Sequence, residues 1–480
     1  MVSFILPANS ASGGYEVANS VRLNNADNAY FSQTPSSSSG TTFTYSMWIK
    51  RGRIGLNGYL IRMVAADNSE ADLIIESDKI RIQEYEGTGG TNKWKYITNR
   101  VFRDPSAWYH IMYVVDTNNG TASDRVKLYI NGVRETSFST ATNPSSGATS
   151  CLATTGARSF GGKASAGSFD GYMAECVYVD GTAKSTTDFG EFDEDSPTIW
   201  KPIDVSSMSL GSTGWYLDFE DSSSLGNDAS GSNNWTSNNL AATDQTTDTC
   251  TNNFSTLNPL NGSGTRTQND TYSEGNTIMI PANHDNYTTT LATMGAMAGK
   301  WYWEAQSIVQ GTASNAYYPR TIGIMRDDYG FDKSTLGQDD DKTWDVVYNS
   351  GNWDASHNNS VVVDNMSTDR TSGNILNFAL DLDNGKFYFG INGTWLNSGD
   401  PTTGSTGTGA IHTLDSTDLS HFIIPAVTNA TTGTYYKFNF GNPAFSISSG
   451  NADGNGYGNF EYAPPSGYYA WCTKNLAEYG

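Results

Sequence analysis

Basic residues are scarce in this 480-residue chain: 28 Lys and Arg stand against 50 Asp and Glu, a formal net charge of −22. A surface of that sign repels phosphate backbones and anionic lipid, so neither nucleic-acid binding nor membrane attachment is expected. Cysteine is scarcer still. Cys151, Cys176, Cys250 and Cys472 lie far apart with no C-x-x-C pair, which argues against a zinc site or redox motif. Unpaired buried thiols in a reducing cytoplasm are the default, with a Cys151–Cys176 pair across a sheet left open. No apolar run approaches the ~18 residues of a membrane span. The start, Met1-Val-Ser-Phe-Ile-Leu-Pro, lacks the basic region and length of a signal peptide. Heptads are absent, so β faces or partner proteins would have to build any oligomer. No Gly-x-Ser-x-Gly, phosphate loop or His-Glu-x-x-His occurs, and His110, His284, His357, His412 and His421 are scattered. No catalytic signature stands out, and the expectation is a protein that is not an enzyme.

What the chain does have is aromatic side chains and turn formers. Apolar residues are only 37% of it, but 27 Tyr, 20 Phe and 12 Trp suit half-buried strands. Gly, Ser, Thr and Asn fill the spaces between apolar runs, as turn-rich β chains require. The clearest local signal is Asn377-Phe-Ala-Leu-Asp381-Leu-Asp-Asn-Gly-Lys-Phe-Tyr-Phe-Gly-Ile-Asn392-Gly393-Thr-Trp395. Two alternating runs meet at an Asn-Gly turn, which predicts a hairpin. A near-equivalent, Arg125-Val-Lys-Leu-Tyr-Ile-Asn131-Gly132, lies earlier in the chain. One device used twice predicts an all-β protein of two antiparallel, jelly-roll-like β-sandwich domains in tandem.

The spacing of strand signals sets the boundaries. A polar, Gly-rich arm is expected over residues 1–18 and a first sandwich over 19–220. A Ser/Asn/Thr/Gly-rich linker follows over 221–274, and a second sandwich over 275–480. The dense acidic runs Asp193-Glu194-Asp195 and Asp339-Asp340-Asp341 read as solvated loops rather than cation sites.

The first domain resembles the laminin-G-like, concanavalin-A-like lectin/glucanase superfamily. The residues that carry this are Phe43-Thr-Tyr-Ser-Met-Trp-Ile-Lys, Trp108-Tyr-His-Ile, Val126-Lys-Leu-Tyr-Ile-Asn-Gly and Phe169-Asp-Gly-Tyr-Met-Ala-Glu. The C-terminal domain resembles a SPRY domain, through Gly299-Lys-Trp-Tyr-Trp-Glu, the 380–393 hairpin, Pro425-Ala-Val and Phe438-Asn-Phe-Gly. Their combination, with Asp218-Phe-Glu-Asp and Thr256-Leu-Asn-Pro between them, is similar to structural proteins of tailed, notably marine, phages. The resemblance implies a virion component made in the host cytoplasm: a head decoration, head fibre or tail fibre. Its partners would be capsid or tail proteins and a host-surface polysaccharide. A homo-oligomer is implied too, homotrimers being common in such appendages. Two alternatives stand beside this: a polysaccharide-cleaving glycoside hydrolase on the concanavalin-like domain, and a structural cement without a host ligand.

Individual residues can be weighed against these readings. Glu191, Asp193 and Asp195 share one face of any strand, and a retaining glycosidase needs two carboxyls ~5 Å apart, one with a raised pKa. Ser196-Pro197 should end such a strand, so an acidic loop is the expectation. No cofactor is expected. Laminin-G relatives often bind calcium at a rim, which makes Asp116, Asp124 and Asp180 calcium candidates by loop position alone, although calcium takes 6–8 oxygens and no spacing here assembles them. Trp301 and Trp303 alternate on one strand and are expected in the core. Asn392 and Trp395, beside a hairpin turn, are the ligand-surface candidates.

Overall fold

Alternating strands bury one face against each other, and both faces only where further chain covers the second. This computed structural model describes residues 14–36, 38–153, 155–163, 167–260, 270–280, 288–309, 321–329, 336, 341–429 and 434–480. Most of the expected arm, together with His284, Asp339 and Asp340, lies outside the described residues. The protein is all-β, with antiparallel sheets stacked as β-sandwiches, and it divides into two units.

One unit comprises Ala11–Asn252 with Ser273–Gly275. Its first sheet has Thr42–Arg51 at the centre, between Trp108–Asp116 and Gly171–Asp180. Val126–Ile130 and then Val133–Arg134 extend it to one edge. The second sheet runs Phe138–Thr142, Asn92–Thr98, Lys79–Tyr85, Glu70–Glu76, Gly58–Val64, Ala157–Phe160, Tyr30–Gln33 and Thr236–Asn238. Period two sends Phe43, Tyr45, Met47 and Ile49 into the core between the sheets, against Trp94, Leu73 and Ile82. The opposite face is also covered. Trp48 and Trp108 pack with Val17 and Trp200, and Val177 and Val179 with Val205 and Leu210. That cover explains why nine of the ten residues of Thr42–Arg51 are buried.

The residues expected to form a linker are largely built into this unit. Thr236–Asn238 and Gln245–Thr246 add strands to the two sheets. Trp235 is buried edge-on against Trp215, ring centroids 5.2 Å apart. Asp228 gathers the local turns: Oδ1 accepts from the amides of Tyr216 and Ser230, and Oδ2 from that of Asn233. The Ser/Asn/Asp composition thus records side-chain-capped turns inside a domain.

The other unit holds Asn253–Tyr272 and Asn276–Gly480. Lys300–Val309 is central in its larger sheet, flanked by Thr434–Asn439 and by Ile375–Asp381, with Lys386–Ile391 next. The smaller sheet runs Thr288–Leu291, Ile423–Asn429, Thr321–Arg326, Thr343–Asn349, Asn352–His357 and Ser360–Ser367. Trp301 and Trp303 are core residues, stacked on Trp471 at 4.6 Å and on Phe378 at 5.1 Å. Two details escape an alternation pattern: the parallel pairing of Tyr469–Ala470 with Trp301 and Tyr302, and a seven-residue helix, Thr473–Tyr479. None of the four cysteines forms a disulfide, and burial raises the thiols of Cys151, Cys176 and Cys250 above the usual range.

Two of the Asn-Gly turns, at Asn131 and Asn392, use the same chemistry. Asn131, at φ 48°, donates its amide to the His110 carbonyl at 2.9 Å and accepts the His110 amide on Oδ1 at 2.8 Å. Asn392, at φ 50°, does both with Ile375, at 2.8 and 2.9 Å. Each side chain imitates the next residue of a strand, and asparagine tolerates the left-handed backbone. The following Gly132 and Gly393 have φ of 75° and 76°, and a Cβ on either would lie 2.4 Å from a ring carbon, of Trp200 and Tyr462 respectively. Asn131→Gly should lose about 1 kcal/mol, the value of the side-chain hydrogen bond. Asn131→Ala should lose about 1–2 kcal/mol more from the strained backbone, and urea denaturation of the pair measures the difference.

Candidate functional site

The three calcium candidates are not brought together. Asp124 pairs with Arg134 at 2.7 Å. Asp180 accepts the Ser39 amide at 2.7 Å and the Thr213 hydroxyl at 3.0 Å. Asp116 lies across from Thr42 in the sheet, on the other side of that strand from Asp180. Among the described residues, three such ligand groups converge only at Asp327, Asp328 and His421. There Arg326 and Lys342 already sit 2.8 and 3.1 Å from Asp328. Asn392 is exposed, but its amide is engaged at both ends, with Nδ2 donating to Asn374 at 3.0 Å. Trp395 is half-buried, edge-on to Tyr302 and Tyr388.

The acidic 191–195 run forms one side of a short hairpin, Gly190–Phe192 paired with Trp200–Pro202. Lys201 Nζ lies 3.3 Å from Glu191 and 3.4 Å from Asp193. The Ser196 amide and Lys201 hold the Asp193 carboxyl below the usual range. An acid catalyst needs the opposite shift.

A concave feature of the first unit lies at the edge of its sandwich, where the chain leaves one sheet for the other. Val133–Arg134 ends the first sheet and Phe138–Thr142 begins the second. The crossing between them is capped by Glu135, whose Oε1 accepts the amides of Thr136 and Ser137 at 3.0 and 2.8 Å. Oε2 faces Arg100 at 3.2 Å. Beneath the crossing the sheets leave a cleft of about 240 Å³. Ile82, Val126, Leu128 and Phe138 give it an apolar floor, and Ser123, Arg134, Thr136 and Asn143 a polar rim. Tyr96 joins the two: its ring meets Phe138 edge-on at 5.3 Å, and its hydroxyl donates to Asn143 Oδ1 at 2.5 Å. Val126 and Leu128 stood out in the sequence only as strand residues, and the other cleft residues not at all. The signal was present only as the alternation that puts Trp94 and Tyr96 on one face.

Residues 23–186 match the concanavalin A-like lectin/glucanases superfamily. The cleft lies inside that span. No curated protein matches the chain in sequence. Among solved structures the chain is similar to the SPRY domain of human HERC1, with 16% identity and a TM-score of 0.26, over 38% of this chain and 96% of that one. The TRIM65 PSpry domain aligns at 14% identity and a TM-score of 0.28, over 38% of this chain and 91% of that one. A heptameric SAP-like pentraxin of Limulus polyphemus aligns at 14% identity and 0.27, over 36% and 81%. At such scores the likeness assigns neither ligand nor activity to this chain.

The first unit also buries titratable groups away from the cleft. Glu175 sits at a bulge in Gly171–Asp180, with φ 47° and the pairing shifted between Ala174 and Val177. Burial raises its carboxyl from 4.5 to about 8, and Tyr216 donates to it at 2.8 Å. Burial likewise raises Glu84 to about 7 and Asp170 to about 6. His110 moves the other way, lowered by burial to about 3. Trp200 Nε1 donates to its Nδ1 at 3.1 Å, so Nε2 carries the proton and donates to Ser46 at 2.8 Å.

Glu135→Ala uncaps the crossing and should cost about 1–3 kcal/mol. Glu135→Gln keeps an acceptor for the amides and should cost under ~1 kcal/mol, the value of a pair with exposed Arg100; urea denaturation separates them. The folded state holds a proton on Glu175 that the unfolded state releases, so its stabilisation is full below pH 4.5 and lost as pH rises through about 8. Melting temperature should therefore fall between about pH 4.5 and 8 in the wild type, with no further Glu175 effect above that, and fall less over the same window in Glu175→Gln. Parallel curves would remove Glu175 as a cause.

Proposed function

We propose that this protein is a non-enzymatic surface component of a tailed-phage particle whose first sandwich binds host-surface saccharide. The carrying observation is that a lectin/glucanase family match over residues 23–186 contains an open cleft with an apolar floor and a polar rim. Such a site can hold a sugar by stacking and hydrogen bonding together. Against hydrolysis, Glu191 and Asp193 share one lysine, and Glu135 is occupied by two amides and an arginine. The tailed-phage origin rests on the resemblance of the paired sandwiches to phage structural proteins. The net charge of −22 suits a displayed surface that avoids phosphate polymers. Many copies on one particle would turn weak single contacts into useful avidity. Capsid or tail proteins would be the assembly partners, and the virion its location after synthesis in the host cytoplasm.

A cryo-EM map of the particle together with purified host polysaccharide tests this. The expected result is copies whose first sandwich faces outward, saturable polysaccharide binding, and no release of reducing ends. First sandwiches sealed against the capsid with no binding would replace adhesion by cement. Release of reducing ends would replace it by hydrolysis.

A further inference from the structure

The cleft's chemistry narrows its ligand, given the saccharide-binding reading above. The floor offers no hydrogen-bond partner, so a hydroxyl placed there would exchange water for nothing. Whatever part of a ligand reaches Leu128 and Phe138 is therefore apolar. The rim carries charge but no net preference for it: Arg134 is paired with Asp124 at 2.7 Å and Arg100 with Glu135 at 3.2 Å. A charged ligand would have to break one of these pairs, so a neutral one is favoured. Asn143 supplies the remaining element. Its Oδ1 is taken by Tyr96, which leaves Nδ2, on an exposed residue at the rim, as a donor awaiting an acceptor. At about 240 Å³ the cleft is smaller than the ~300–1,000 Å³ of drug-sized sites, room for one substituent and its ring rather than a chain.

We infer that the cleft takes the acyl group of an acylated neutral sugar, its alkyl end on Leu128 and Phe138 and its carbonyl oxygen accepting from Asn143 Nδ2. An acetamido group and an O-acetyl ester share this chemistry. A bare hexose lacks both the apolar arm and the carbonyl.

Titration of the full chain with methyl glycosides of glucose, N-acetylglucosamine and 6-O-acetylglucose, followed by NMR, tests the inference. At least one acylated glycoside should bind about tenfold or more tighter than the glucoside, and which one does identifies amide or ester as the natural form. Ala141→Trp, an exposed lining residue across from Tyr96 on the neighbouring strand, should abolish that binding with the melting temperature unchanged. Ser123→Trp, exposed at the rim, serves the same purpose should the first variant melt low. Equal binding of all three glycosides overturns the inference, as does acyl-dependent binding that survives both folded variants. In either case the saccharide-binding reading would stand and the cleft would not be its site. If neither the glycosides nor host polysaccharide binds, that reading fails and this inference with it.

Discussion

A lysine and an aspartate, both without measurable exposure, hold the first unit together. Lys50 Nζ lies 2.7 Å from Asp248 Oδ2, and Trp108 Nε1 donates to Oδ1 at 3.1 Å. The Tyr172 ring lies 5.3 Å from the ammonium. Burial lowers the Lys50 pKa and Asp248 opposes the shift. Removing one member of such a pair strands the other charge in an apolar interior. The constraint therefore reaches beyond two side chains. Lys50 belongs to the central strand, and Asp248 to the segment that closes over its outer face. Trp200 and Phe189 continue that cover, so Ser46, Trp48 and His110 are buried on what would otherwise be a wetted surface. An aspartate in this position ties the last residues of the unit to the middle of the sheet, and the earlier chain cannot be fully packed until they arrive.

The two sandwiches solve a common problem in the same way. A strand that ends at a hairpin leaves a backbone amide of its neighbour unsatisfied, and each unit spends an asparagine on it. Asn392 illustrates the consequence for recognition. It is exposed, sits at a loop and is polar, yet both ends of its amide serve the fold. The cleft inverts this. Tyr96 and Asn143 bond to each other and still leave donor capacity, and a gap lined by apolar side chains lies beneath them.

Strand alternation and the Asn-Gly turns made the all-β class and both hairpins readable in the sequence, because those signals act between near neighbours. Trp301 and Trp303 were readable for the same reason. The 221–252 stretch was not, since Ser, Asn and Asp look alike whether a turn hangs free or is fixed by a residue such as Asp228. The calcium candidates are not brought together, for a different reason. Position near a loop says nothing of what already holds a carboxylate, and Asp180 is taken by Ser39 and Thr213. The cleft is a gap between two sheets at one edge, and a gap has no residue type of its own. The helix Thr473–Tyr479 is too short to display a period.

Cysteines that form no disulfide have a consequence for durability. No covalent tie limits how far either unit can open, and three of the thiols are kept in their unreactive, protonated form by burial. The lifetime of the folded chain is then governed by how rarely it opens, a rate, rather than by the chemistry of any bond. A change of surroundings from reducing to oxidising leaves that rate unaltered while the thiols stay covered. An opening large enough to expose them lets an oxidant hold the chain open as a sulfenic acid or disulfide, which a reductant must reverse before the packing can re-form.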